Sequence, residues 1–328
     1  MTHRTADEPL YALVTRDLRA KIANGTWKAG EATRTLWAEA SREPADATAA
    51  SAMGVAKART MDELFDTHCH LGFFPDAATA ARDLDAAGVG ALCATVTPGE
   101  YERVAAELAG APNVRVGVGL HPWWVADGTC GEADVELAAS LVATCRYVAE
   151  VGLDYARGRD ATRDAQLRAL DRMLAACGDG GHMLSVHAVR AASDVLDALE
   201  RHGTVACGNV AVLHWFSGTS PELTHAIRLG CRFSVGPRML ATRRGREYAR
   251  QIPPERLLLE TDLPTSPGQG ATLGPGELAR ELRQALGALC ELHGPEVARA
   301  IAAASRQLLK LEAERPGSRR PTPTAEKP

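Results

Sequence analysis

The chain has 328 residues, of which 45% are hydrophobic and 24% charged, and its net charge is −4. This is an ordinary globular composition able to bury a sizeable core, and it excludes both a low-complexity chain and a polyanion binder acting through bulk positive charge. No apolar run approaches the roughly 18 residues that cross a bilayer, and the amino end MTHRTADEPLYALVTRD lacks an apolar signal-peptide core, so the sequence reads as cytoplasmic with no membrane partner.

Eight cysteines (Cys69, Cys93, Cys130, Cys145, Cys177, Cys207, Cys231 and Cys290) are scattered without a CxxC pair. They read as reduced and mostly buried thiols, which excludes a disulfide framework or a zinc ribbon.

Residues 1–60 stand apart as an N-terminal extension. Leu10, Leu13, Leu18 and Ile22 have helical spacing, followed by a glycine-containing stop. This stretch resembles the first helix and turn of the GntR-type winged-helix DNA-binding domain. Residues 32–60 lack the apolar period of a recognition helix and wing, so the segment is expected to be a remnant or to precede a start at Met61. Residues 316–328, PGSRRPTPTAEKP, are rich in proline and polar and predict a disordered tail. The domain is expected over 61–315.

Within it, short apolar runs alternate with helix-patterned stretches. In order the runs are LFDTHCH, GALCATV, VRVGVGLH, YVAEVGLD, HMLSVH, VAVLHWF, CRFSV and LLLETD. Eight strand–helix units in about 255 residues have the size and rhythm of a (β/α)8 TIM barrel. A doubly wound open sheet is the alternative, but no GxGxxG follows a strand.

A TIM barrel keeps its active site at the carboxyl ends of its strands. The first run ends in His68-Cys69-His70 and the third in His121. The fourth carries Glu150 and Asp154, the fifth ends in His187, the sixth holds His214, and the eighth ends in Glu260-Thr261-Asp262. Residues i and i+2 of a strand share a side, so His68 and His70 point one way and Cys69 the other. Four imidazoles (His68, His70, His187, His214) and two carboxylates (Glu150, Asp262) thus gather at one barrel mouth. That set is enough for two divalent ions with open positions for water. Taken singly, each histidine is more simply a satisfied buried or surface side chain; taken together at matched strand ends, they read as a metal site.

The blocks DTHCHL at 66–71, GLHPW at 119–123, EVGLDY at 150–155, HWFSG at 214–218 and LLLETDLP at 257–264 resemble the signature blocks of the TatD family of metal-dependent DNases, amidohydrolase-type barrels. The resemblance spans 61–315 in the right order. It implies that His68, His70 and Asp262 bind one ion, that Glu150 bridges two, that His187 and His214 hold the second, and that His121 lines the substrate side. It implies phosphodiester hydrolysis, typically trimming single-stranded DNA from its 3′ end. Phosphotriesterase- and dihydroorotase-like barrels place a carboxylated lysine on strand four, and YVAEVGLDY has none. Asp262 is placed both to ligate and to take a proton from water, which makes Asp262 and Glu150 the catalytic candidates. The mixed donor set suits Zn²⁺, Mn²⁺ or Co²⁺, whereas Mg²⁺ prefers oxygen, although the family accepts it.

The chain departs from the family pattern in places. Ala188-Val189 separate His187 from Arg190 where the family has Ser-Arg, and Ser305 stands where the last helix usually has Asn. HWFSG with FSVGPRM following resembles the TatD-like nuclease of the Qat antiphage system, which implies a role in antiviral defence with partner proteins.

Substrate contacts are expected from GPRMLATRRGREYAR, where Arg238, Arg243, Arg244, Arg246 and Arg250 cluster; their forked guanidinium groups match phosphate oxygens, or else face solvent. Trp123, Trp124 and Trp215 beside His121 and His214 are placed to stack on bases or to pack, and Tyr155 has the same two prospects. Two alternatives remain open: a small-molecule amide, lactone or phosphoester hydrolase on the same metals, and a scaffold subunit of a defence complex.

Overall fold

Nine parallel strands follow one another in chain order in the computed structural model, which describes residues 63–310. β1 (Leu64–Cys69), β2 (Val89–Cys93) and β3 (Val114–Val116) form one run. β4 (Val118–Leu120), β5 (Tyr147–Asp154), β6 (Met183–Val189), β7 (Val210–His214), β8 (Arg232–Val235) and β9 (Leu257–Leu259) form the other. Helices occupy most of the crossovers, which gives the singly wound (β/α)8 barrel. Between β9 and β1 the ring is carried by two main-chain bonds: Asp262 N–H donates to His68 O and His70 N–H to Leu263 O, both at 2.9 Å.

The third run, expected as one strand, is two. Thr95, just past β2, inserts its hydroxyl at the break, donating to Gly117 O at 2.8 Å and accepting from Gly119 N–H at 3.0 Å. Its main chain reaches further, exchanging bonds with Ala149 O and Glu150 N–H at 2.8 Å each. A Cβ on Gly119 would lie 1.6 Å from Thr95 O, so only glycine admits this approach. The eighth run also differs: the strand ends at Leu259, and Glu260 to Asp262 continue beyond it.

Side-chain parity decides what the barrel encloses. Phe65, Leu92, Tyr147, Ala149, Met183, Val212 and Leu258 form an inner cluster, closed by Ala304, Leu308 and Leu309 of the last helix (Glu296–Leu309). Continuing that alternation from Met183, Val212 and Leu258 brings Ser185, His187, His214 and Glu260 inward. In β1 and β5 simple alternation would fail, because it would turn Cys69 and Val151 inward. Both strands carry a register shift, between Asp66 and Cys69 and between Ala149 and Val151. One extra residue flips every side chain beyond it. His68, His70, Glu150 and Asp154 therefore face the interior, while Cys69 and Val151 join the outer core against the helices.

The last helix is tied to early strands. Tyr147 Oη donates to Leu309 O at 2.8 Å and Arg115 Nε donates to the same oxygen at 3.1 Å. Ser305 lies on this helix, fully buried, with its hydroxyl unpartnered. Among the described residues no helix is long and apolar enough to cross a membrane. The expected N-terminal extension and C-terminal tail lie outside the described residues.

Candidate metal centre and its cavity

Glu150 is the hub of the barrel mouth, 2% exposed and aimed inward by the bulge in β5. Its Oε2 lies 3.6 Å from His68 Nε2 and 3.7 Å from His70 Nε2. Asp262 Oδ1 closes this group at 3.7 Å from His68 Nε2 and 3.3 Å from His70 Nε2. The other carboxylate oxygen, Oε1, lies 2.6 Å from both His187 Nδ1 and His214 Nε2, and 3.5 Å from His121 Nε2. All six residues expected at the metal site are thus brought together, and His121 joins them on the Oε1 side.

Four of the rings are held from behind, whereas His214 Nδ1 is buried without a hydrogen-bond partner, 3.8 Å from Glu260 Oε2. His68 Nδ1 lies 2.7 Å from Ser185 Oγ, and His70 Nδ1 3.2 Å from Ala94 O. His187 Nε2 lies 3.1 Å from Asp154 Oδ2, which also accepts Trp123 Nε1–H at 2.5 Å. His121 Nδ1 accepts the N–H of Trp123 at 3.1 Å, leaving Nε2 toward Glu150. Behind His214, the buried Glu260 accepts from Ser234 Oγ at 2.5 Å and from Trp215 N–H at 2.8 Å. Such outer partners fix ring orientation and raise basicity toward a metal.

The electrostatics follow from burying this many titratable groups. Burial opposes the charge on Glu150, yet the imidazoles of His121, His214, His68 and His187 outweigh it and hold the carboxyl well below its ordinary value. Burial, with His214 alongside, pushes His68 down to about 4. Burial works the same way on His70 and His187, but Asp262 and Glu150 at the first, and Glu150 and Asp154 at the second, raise both to about 9. Burial lifts Glu260 well above the usual carboxyl range.

These residues fit a divalent cation. His68 Nε2 is fully buried and has no hydrogen-bond partner, a costly state for an imidazole nitrogen. It points into the same gap as His70 Nε2, Glu150 Oε2 and Asp262 Oδ1, lying 3.6 and 3.7 Å from the two carboxylate oxygens, too far for a hydrogen bond to either. Two triads, His68–His70–Glu150 and His121–Glu150–His187, bring their ligand atoms within 4.8 Å of one another. Nitrogen and carboxylate donors of this kind suit first-row divalent metals.

The cluster floors a cavity of about 650 Å³ whose wall includes Trp123, Trp124, Trp215, Arg157, Arg159 and Arg238. The guanidinium of Arg159 stands 4.7 Å from the Trp123 ring and that of Arg238 5.7 Å from Trp215. Of the arginines singled out in the sequence, Arg238 alone lines this cavity. Arg243 is exposed at the start of the helix Arg243–Gln251, and Arg244 donates to Ser217 O at 2.9 Å. Arg246 pairs with Glu291 and Arg250 with Glu247. Arg190 is exposed and off the cavity wall, and Tyr155 donates to Asp194 at 2.7 Å. Arg157 and Arg159 were not singled out. Their only mark in the sequence is the pair of arginines in ARGRD directly after the fourth run.

A family model described as TatD related DNase matches residues 65–310. The uncharacterized metal-dependent hydrolase YjjV of Escherichia coli K12 is 30% identical over 253 residues, covering 72% of this chain and 93% of that protein. The 3′-5′ ssDNA/RNA exonuclease TatD of Citrobacter rodentium is 34% identical over 189 residues, covering 55% of this chain and 68% of that protein. The crystal structure of YjjV superposes with a TM-score of 0.63 at 25% identity, over 77% of this chain and 100% of that one. With the family match running from Phe65 through the last helix and taking in every clustered imidazole and carboxylate, the chain belongs to the TatD related DNase family of metal-dependent hydrolases.

Proposed function

We propose that the barrel mouth hydrolyses phosphodiester bonds of single-stranded DNA from the 3′ end with the help of two divalent ions, toward both of which Glu150 would serve as a ligand. The observation that carries this reading is the division of labour at Glu150, whose Oε2 faces His68 and His70 and whose Oε1 faces His187 and His214. His68, His70 and Asp262 would hold one ion, and His187 with His214 the other. Ions held there supply Lewis acidity that polarises a phosphoryl oxygen and acidifies water. Asp262 is the more exposed carboxylate, its side chain 19% accessible at the cavity wall, where it takes the proton of the attacking water. Arg238 grips a phosphate and the indoles of Trp123 and Trp215 take bases. The 3′ polarity is supported by the name of the Citrobacter relative.

The test is incubation with end-labelled single-stranded DNA, with Mn²⁺, Zn²⁺, Co²⁺ or Mg²⁺ and with EDTA. Metal-dependent release of mononucleotides from the 3′ end, absent in Asp262→Asn, is the expected result; a fully active Asp262→Asn would overturn the assignment of the base.

One observation favours a second reading. A cavity of about 650 Å³ also suits a small ester. Rapid turnover of small esters together with salt-insensitive, weak DNA binding would select it. An antiphage setting rests on the Qat-like HWFSG and FSVGPRM blocks; it requires phage plating to fall with the wild-type chain and to recover with Asp262→Asn.

A further inference from the structure

The connection after β5 carries two arginines that the metal cluster does not use. Residues Ala156–Thr162 form a kinked 3-10 turn. The buried side chain of Gln166 pins it from beneath, donating to Asp154 O and Arg159 O at 3.0 Å each and to Thr162 Oγ1 at 3.1 Å, and accepting Asp154 N–H at 2.8 Å. The turn so fixed sets Arg157 and Arg159 on the cavity wall, three strands along the barrel from Arg238, which follows β8.

Arg157 has φ 55 and ψ 37, the left-handed region where glycine rests without strain and a long side chain does not. Gly158 beside it has φ 81, so the chain places glycine at one left-handed position and arginine at the other. Nothing in the backbone calls for arginine there. The side chain is exposed at the cavity and makes no ion pair among the described residues. Strain retained at such a place points to a use for the group that it presents. Arg159 adds a second cation: its Nη2 lies 3.1 Å from Asp154 Oδ1, while its Nε is buried without a partner. Beneath it lies the indole of Trp123, 38% exposed and fixed by its bond to Asp154.

We propose that Arg157 and Arg159 form a second phosphate subsite, which grips the linkage next to the one cut while Trp123 carries that nucleotide's base. This rests on the nuclease reading and deepens it: a chain with a charged phosphate at the linkage next to the cut is preferred to one that carries the scissile phosphate alone. The unpaired guanidinium of Arg157, with that of Arg159 beside it on the same wall, would form charge-assisted bonds to a backbone phosphate that a neutral linkage cannot replace.

The test pairs two short single-stranded oligonucleotides, one all-phosphodiester and one with a neutral methylphosphonate at the neighbouring linkage. Quenching of tryptophan fluorescence in EDTA gives Kd for each, independently of turnover. In the wild-type chain the neutral linkage should weaken binding about ten-fold, and in Arg157→Gly that penalty should shrink to about two- to three-fold. Because glycine relieves the left-handed strain, Arg157→Gly should melt at or above the wild-type temperature. An equal penalty in both proteins, no penalty in the wild type, or a clear loss of melting temperature would overturn the subsite and make Arg157 a structural residue. Failure of the nuclease reading shows elsewhere, as no metal-dependent cleavage of the all-phosphodiester oligonucleotide whatever the Kd values.

Discussion

The side chain of Glu260 accepts the main-chain N–H of Trp215 at 2.8 Å and so holds a tryptophan at φ 41, a conformation that bulky residues rarely adopt. The same carboxyl takes Ser234 Oγ on its other oxygen, at 2.5 Å. Its enclosure lifts it well above the usual carboxyl range, which favours the protonated form. Glu260→Gln should therefore be tolerated within about 1 kcal/mol, since a neutral amide keeps the shape and the acceptor. Glu260→Ala strands the hydroxyl and opens a cavity, and should cost about 2–4 kcal/mol in urea unfolding. Equal losses would show that the carboxyl is ionised in the fold.

Asp154 stands behind His187 at 3.1 Å and should act on metal affinity rather than on the chemical step. Asp154→Asn should weaken binding at the Oε1 side of Glu150 by about 10–100-fold, with far-UV circular dichroism unchanged. Isothermal titration with Mn²⁺ measures this, and an unaltered affinity would release Asp154 from the role.

Metal binding should expel protons. His70 and His187 are raised to about 9 in the metal-free protein, so both are protonated at pH 7 and must give up a proton to ligate. The raised values also stabilise the metal-free fold below about pH 6.5, and that contribution is lost as pH rises toward 9. Metal stabilisation runs the other way. The gap in melting temperature between Mn²⁺ and EDTA samples should therefore widen from pH 6 to pH 9; a constant gap would contradict the protonated pair.

Arg238 and the Arg243–Arg244 pair should separate by their distance from the cavity. Arg238→Gln should lower the salt slope of single-stranded DNA binding by about 0.7, one phosphate contact. Arg243 and Arg244 were expected at the DNA from their clustering after a strand, but the structure does not bring them to the wall. Their double replacement should change the slope less than Arg238→Gln alone.

The strand-end polar residues were legible in the sequence because histidines and carboxylates interrupt apolar runs at regular intervals. Their direction was legible for His68 and His70 relative to Cys69, but not the reason that this pair, rather than Thr67 and Cys69, faces the interior. That depends on a register shift set by neighbouring strands, which no local pattern encodes. The split at Gly117 was hidden for the same reason: VRVGVGLH keeps its alternation through the break, and the interruption comes from Thr95, distant in sequence. Arg157 and Arg159 escaped notice because a kinked turn has no period, and only its anchoring by Gln166 turns them toward the cavity.

The tie between Arg115 and Leu309 spans 194 residues, and the donor groups gathered at Glu150 come from positions as far apart in the chain as His68 and Asp262. On a ribosome, a chain still missing its last helix has nothing to cover Phe65, Tyr147 and Leu258, and a chain shorter than Asp262 has no complete set of donors. The barrel therefore cannot mature strand by strand behind the exit tunnel. Nascent chains halted before residue 262 should bind no metal and remain open to protease, and resistance should arrive in one step only once the carboxyl-terminal helix has emerged.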